Sequence, residues 1–229
     1  YGKRVYEMNA RGQLVQSLSL TKGEQGSDLY TNLDIDAQKS AAKFLGNRKG
    51  AVVAIDLDVG GINVLYSSPA YSINKLSNGM SENEFQALIN DPDKPFFNRA
   101  LRGRYPPAST IKPAIGMYGL SNNIVNWDFE LKDPGFFTLP ETGRVLRGWL
   151  EGGHGKVNMH KAFLVSSNTY FFSLAYQADI TELSNYLSSL GFGQKVCSDC
   201  FDEDQAFVPT PEWKYSIMNA GWVKGDTVN

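Results

Sequence analysis

The segment Tyr105-Pro106-Pro107-Ala108-Ser109-Thr110-Ile111-Lys112-Pro113 holds a hydroxyl and an amine three residues apart, between prolines. In a helical turn, residues i and i+3 share a face, so the Lys112 amine comes within reach of the Ser109 hydroxyl. An amine withdrawn from water loses its preference for the charged form, and a neutral lysine can take a hydroxyl proton. Ser109 is therefore a candidate nucleophile and Lys112 its candidate base. The chemistry on offer is acyl transfer through a serine ester. A helix start adds to it, because free N–H groups and the helix dipole favour an alkoxide or a tetrahedral oxyanion there.

The Ser-x-x-Lys spacing alone says little, since it occurs at Ser19, Ser40, Ser72 and Ser109. At the first three a plain cap or a solvated surface pair suffices. At Ser109 the prolines separate the motif from the rest. Pro106-Pro107 impose an extended approach. Pro113, lacking an N–H, is tolerated only in a helix's first turn. The helix start is thus predicted close to Ser109, even though a residue before proline, as Lys112 is, mildly disfavours helical geometry. Ile111 and Tyr118 are the apolar neighbours expected to desolvate the amine.

These residues need elements to hold them. Residues 1–28 are polar and Gly-punctuated, with Arg11-Gly12-Gln13 as a turn between two short strands. They read as the end of a preceding module or a linker, ahead of a domain over 29–229. Leu29–Leu45 reads as a strand end and then a helix, capped by Asp34 or Asp36, with Ala37, Ala41, Phe44 and Leu45 as its apolar stripe and Gly46-Asn47 as its stop. Residues 50–57 read as a buried central strand, Gly60-Gly61 as a hairpin turn and 62–68 as the returning strand. Residues 69–104 are loop and short helix, with a helix start at Ser81-Glu82-Asn83-Glu84. An apolar helix covers 113–122, Asp133-Pro134-Gly135 makes a turn, and 136–157 are irregular. A long helix is predicted from Asn158 to about Gln177, another over 181–190 up to Gly191, and loop thereafter. The fold class is α+β, a mostly antiparallel sheet with helices on both faces and a helical subdomain bearing Ser109 and Ser166.

With 229 residues, 42% hydrophobic and 20% charged, the chain has enough apolar material for a sizeable core. A net charge of -2 with scattered basic residues excludes a nucleic-acid surface. No apolar run reaches the roughly eighteen residues a membrane span needs. Cys197 and Cys200 fit a short disulfide or two ordinary thiols; a redox pair or a zinc site fits their surroundings less well.

The Tyr105–Pro113 string resembles the first motif of class B penicillin-binding proteins, the D,D-transpeptidases that cross-link peptidoglycan. Ser166-Ser167-Asn168 is similar to that family's second motif, Ser-x-Asn or Ser-x-Asp. Ser-x-Asn also occurs at Ser72, Ser81 and Ser121, but only at Ser166 does it open onto an apolar helix. Asn32–Gln38, Leu88–Pro92, Asn98-Arg99-Ala100, Asp133-Pro134-Gly135, Gly153-His154-Gly155, Glu212-Trp213-Lys214 and Gly225-Asp226-Thr227 resemble, in order, the elongation-type members of Gram-negative rods.

The resemblance implies a penicillin-binding transpeptidase fold of the serine β-lactamase type. It implies that Ser109 attacks the D-Ala-D-Ala carbonyl of a stem peptide, Lys112 accepts its proton, and Ser166 relays a proton to the leaving D-Ala. Asn168 would bind the substrate amide and hold Lys112. β-Lactams would acylate the same Ser109. Expected partners are stem peptides, β-lactams, a membrane glycosyltransferase and the elongation machinery, in the periplasm below an upstream inner-membrane anchor. The family's third motif, Lys-Thr-Gly or Lys-Ser-Gly, is absent and is expected past Asn229, so the oxyanion hole is expected to be incomplete within this stretch. Some members hold a zinc at positions matching Asp133, Gly148, His154 and Ser167. Only Asp133 and His154 keep ligand chemistry here, so no metal or other cofactor is expected. His154, between glycines, reads as a loop residue beside the site, and Tyr170, Phe171 and Phe172 read as core.

Three other functions share part of this pattern. A serine β-lactamase needs an added base for deacylation, for which Glu141 and Glu151 are the available carboxylates. A β-lactam sensor acylates without cross-linking. A non-catalytic scaffold has no need of Ser109, Lys112 and Asn168, and all three are present.

Overall fold

A computed structural model describes residues 2–228. Tyr1 and Asn229, the first and last positions of the expected segments, lie outside the described residues. The chain divides into two compact units, 1–68 and 69–229.

In the first unit, β1 (Lys3–Met8) and β2 (Leu14–Thr21) form an antiparallel hairpin. Gly12, with φ +75°, makes its turn possible. Helix α1 (Ile35–Leu45) begins where the Asp34 carboxylate accepts the N–H groups of Asp36 and Ala37, and it ends at Gly46 in a positive-φ conformation. No strand precedes it at Leu29. Of its expected stripe Ala41 is buried, whereas Phe44 is exposed and sits beneath the Arg48 guanidinium. Strands β3 (Gly50–Ile55) and β4 (Ile62–Ser68) pair antiparallel as expected. The expectation of a buried β3 is corrected: Val53 and Ile55 are exposed, because β4 is its only ladder partner among the described residues.

The second unit opens with α2 (Ile73–Asn78), α3 (Glu82–Ile89) and α4 (Arg99–Arg102). Ser81 and Glu84 form the reciprocal capping box that the sequence announced for α3. A 3₁₀ turn (Ala108–Ile111) then runs into α5 (Lys112–Ser121), with Pro113 in its first turn. Strand β5 (Glu130–Asp133) comes just before the stretch read as irregular, and that stretch contains β6 (Phe136–Thr138), β7 (Val145–Arg147) and most of β8 (Gly155–Asn158). They pair as β5–β8 and β6–β7, both antiparallel. Strands of three or four residues are too short for a two-residue alternation to be visible.

The predicted long helix is two helices, α6 (Met159–Leu164) and α7 (Asn168–Gln177). Ser166 breaks it by adopting φ +51°, and Ser167 then caps α7 by accepting the Tyr170 N–H. Helix α8 (Ile180–Ser189) follows as predicted, with Gly191 past its end at φ +92°. The region read as loop carries α9 (Pro211–Met218) and α10 (Lys224–Val228). Thr210 followed by Pro211 was a legible start signal for α9, since its hydroxyl accepts the Trp213 N–H.

The core of this unit gathers around α7. Val157, Met159, Ala162, Tyr170 and Leu174 form one buried cluster joining β8, α6 and α7. Leu139, Ala175 and Val228 form another, where β6–β7 and α10 cover the far side of α7. Two glycines let α5 come close. A Cβ on Gly119 would stand 2.6 Å from Leu174 Cδ1, and one on Gly116 would stand 2.7 Å from Phe163 Cζ. This close approach brings the first turn of α5 to the gap between α6 and α7.

Candidate active site

Four side chains meet at that gap. Ser109 lies in the 3₁₀ turn, exposed to solvent, and Ala108 just before it has φ +48°. Lys112 opens α5 with only 9% of its surface exposed. Ser166 lies between α6 and α7, and Asn168 is the first residue of α7.

Their polar atoms form one connected network. Ser166 Oγ donates to Ser109 Oγ at 3.0 Å. Lys112 Nζ donates to Ser166 Oγ at 3.0 Å, to Ser166 O at 2.9 Å and to Asn168 Oδ1 at 2.7 Å. The three donor positions of an ammonium are thereby matched by three acceptors. Contrary to the simplest reading of the i, i+3 spacing, the Ser109 and Lys112 side chains share no hydrogen bond of their own among the described residues; the direct link between the two residues is the Lys112 backbone N–H donating to Ser109 O. The Ser166 hydroxyl joins the side chains.

Burial depresses the Lys112 pKa below the ordinary lysine value. The Phe171 ring covers the amine on one side, its centre 5.4 Å from Nζ. Phe171 is core, as expected, and it also lines the amine. Tyr118 belongs instead to a separate cluster with Ala178 and Leu183.

The backbone around the site is strained. Ala108, which precedes Ser109, and Ser166, which carries the bridging hydroxyl, are both non-glycine residues at positive φ. Several bonds hold the Ser166 conformation. The Ser166 N–H donates to Phe163 O at 3.2 Å and the Ser167 N–H to Ala162 O at 2.9 Å. The Trp149 indole N–H donates to Val165 O at 3.0 Å, and its ring packs on His154 at 5.2 Å between centres. Trp149 was not singled out in the sequence, and no local motif points to it, because its partner is sixteen residues away.

Residues 50–229 match the family described as the penicillin binding protein transpeptidase domain. The chain belongs to this family. The chain is 40% identical over 228 residues to the peptidoglycan D,D-transpeptidase MrdA of Acinetobacter baumannii, covering 100% of this chain and 34% of that protein. It spans about a third of the length of such relatives. Among solved structures, Pseudomonas aeruginosa PBP2 in complex with WCK 5153 superposes with TM-score 0.83 at 36% identity, over 86% of this chain and 43% of that one. Helicobacter pylori PBP2 in its complex with MreC superposes with TM-score 0.84 at 31% identity, over 99% and 42%. The fold is therefore the penicillin-binding transpeptidase fold.

Within this penicillin-binding fold, the positions that resemble a zinc site do not fit a metal. Gly148 has no side chain, and its N–H donates to Gly135 O at 2.7 Å. Ser167 is wholly buried and donates its hydroxyl proton to Asp133 Oδ2 at 2.7 Å. Asp133, 2% exposed, also accepts the Gly135 N–H at 2.7 Å. Burial pushes the Asp133 carboxyl up, but the hydrogen bonds it accepts, led by that from Ser167 and then that from Gly135, outweigh it, so its pKa lies below the ordinary value. Two ligand-type side chains are too few for a closed zinc site. Cys197 and Cys200 form a disulfide, so their sulfurs are committed to each other.

The carboxylates considered for deacylation stand outside this network among the described residues. Glu141 accepts the Tyr176 hydroxyl at 2.6 Å. Neither Glu141 nor Glu151 bonds to Ser109, Lys112, Ser166 or Asn168 among the described residues.

Proposed function

We propose that this chain is the acylating part of a peptidoglycan D,D-transpeptidase that works in cell elongation, with Ser109 as its nucleophile. The single observation behind this reading is the continuous path Ser109 Oγ–Ser166 Oγ–Lys112 Nζ, with Lys112 desolvated at its end. A neutral Lys112 accepts a proton from Ser166 as Ser166 accepts one from Ser109. Ser109 Oγ then bonds to the carbonyl carbon between the two terminal D-alanines of a stem peptide. As that amide C–N bond breaks, the proton returns along the same path to the departing D-Ala nitrogen. The amine of a second stem peptide attacks the ester, forms the cross-linking amide and restores the Ser109 hydroxyl.

Asn168 has two tasks in this scheme. Its Oδ1 fixes Lys112, and its side-chain NH2, which makes no hydrogen bond among the described residues, meets the stem peptide's backbone. β-Lactams, as cyclic amides, acylate Ser109 by the first half of this sequence and lack a small leaving group that diffuses away. Residues 29–229 form the transpeptidase domain on this reading, and 1–28 end a preceding module. An upstream anchor in the inner membrane, a periplasmic site and a glycosyltransferase partner belong to the same proposal. The MreC-bound Helicobacter pylori relative supports an elongation-complex setting.

The test uses the full-length protein that contains this chain and its Ser109→Ala variant, each incubated with a fluorescent penicillin. Stable label on the parent and none on the variant is expected. Equal label on both removes Ser109 from its role. Formation of cross-linked peptide dimers by the parent then separates a transpeptidase from a sensor.

A further inference from the structure

We infer that the buried Asp133–Ser167 pair is the tether that sets the second motif of this chain, making Asp133 a positioning residue for acylation that acts without a metal ion. The inference rests on the proposed role of Ser109 and deepens it. Asp133 and Ser167 are 34 residues apart, on the end of β5 and at the cap of α7, and their side chains meet at 2.7 Å in a site with almost no solvent. A buried carboxylate has to be supplied with donors. Here one oxygen takes the Gly135 N–H and the other takes the Ser167 hydroxyl.

The Ser167 hydroxyl has no rotational freedom left. It donates to Asp133 and accepts the Tyr170 N–H at 3.2 Å. Its two chain neighbours are Ser166, which bridges Ser109 and Lys112, and Asn168, which holds Lys112. Ser166 sits at positive φ, a conformation that persists only where surrounding contacts enforce it. The Asp133–Ser167 bond fastens that stretch from the protein's interior, while the bonds to Phe163 and Ala162 fasten it from α6. A metal in this place would need donors that Gly148 lacks and that Ser167 has already committed.

The experiment measures acylation of the full-length protein by fluorescent penicillin. The variants are Asp133→Asn, Ser167→Ala and Ser167→Thr, each followed below its melting temperature. Asp133→Asn and Ser167→Ala are expected to lower the acylation rate roughly tenfold to a hundredfold, since small misplacements of reacting groups have effects of this size. The loss is expected in the covalent step at saturating penicillin, with the initial affinity little changed. Ser167→Thr, which keeps the hydroxyl, is expected to recover most of the rate. A metal chelator is expected to leave the parental rate unchanged. Folded Asp133→Asn and Ser167→Ala variants that acylate at the parental rate overturn the tether. A chelator that slows the parent, with zinc restoring it, overturns metal independence. Failure of all three variants to fold replaces the positioning role with a purely structural one. An unlabelled parent would instead remove the Ser109 reading, and this inference with it.

Discussion

Ser166 Oγ donates to Ser109 Oγ at 3.0 Å, across 57 residues of chain. Lys112, only three residues from Ser109, reaches it through that same hydroxyl. On the proposed function, the proton path from Ser109 to Lys112 therefore runs through the second motif. Ser166→Ala is expected to slow penicillin acylation by roughly a hundredfold or more, the scale of a lost general acid–base path. Ser109→Ala is expected to abolish labelling while leaving the melting temperature nearly unchanged, because Ser109 is exposed. Time courses of labelling would check both, and a Ser166→Ala protein as fast as the parent would take Ser166 out of the path.

The desolvated amine makes the reaction pH-dependent. Only neutral Lys112 can accept a proton, so acylation is expected to rise with pH through a pKa lying below the ordinary lysine value. Lys112→Arg should be inactive across that range, since guanidinium stays charged. The same shift appears in stability. Burial lowers the folded pKa, so the unfolded chain binds the proton more readily. Stability therefore increases as pH rises between the folded and unfolded pKa values. In Lys112→Met that increment should be missing, as denaturant titrations at several pH values would reveal.

The glycines of α5 set how closely the first motif approaches the second. Gly119→Ala drives a methyl to within 2.6 Å of Leu174 Cδ1. An overpacked core costs about 1–3 kcal/mol. The expected result is a lower melting temperature together with slower acylation, because α5 carries Lys112 away from Asn168. The exposed Met117, two residues from Gly119 and on the opposite face of α5, is the control position: Met117→Ala should leave both readouts within about 0.5 kcal/mol or its rate equivalent.

Ala108 provides a test of strain beside the nucleophile. An L-residue at positive φ costs about 1–2 kcal/mol, and glycine does not incur that cost. Ala108→Gly should therefore be neutral to stabilising by about 1 kcal/mol in denaturant titrations, in contrast to Ala→Gly in an ordinary helix, which is destabilising. Its acylation rate should fall modestly, because the added freedom loosens Ser109.

Core truncation beneath the site should act differently. Met159 is fully buried between β8, α6 and α7. Met159→Ala is expected to cost about 2–5 kcal/mol of stability. Measured well below its melting point, its acylation should remain close to parental, because Met159 contacts none of the four polar side chains through a hydrogen bond.

The amino-acid sequence determined the features that depend on neighbours within a few residues. Proline placement marked the start of the Ser109 turn, capping side chains marked α1, α3 and α6, and Gly191 marked the end of α8. The two motifs were recognisable because their chemistry is local. Tertiary structure decided how the motifs meet. The helix break at Ser166 falls in the polar run Ser166–Thr169, which is about one helical turn long and reads equally as the polar face of a continuous helix, so the turn of a single residue into positive φ was not legible there. The bridging role of Ser166, the Phe171 wall on Lys112 and the Asp133–Ser167 tether join side chains 34 to 59 positions apart. Such contacts exist only once α5, α7 and β5 have packed, because the positions of their side chains are set by the core between them and not by the chain on either side.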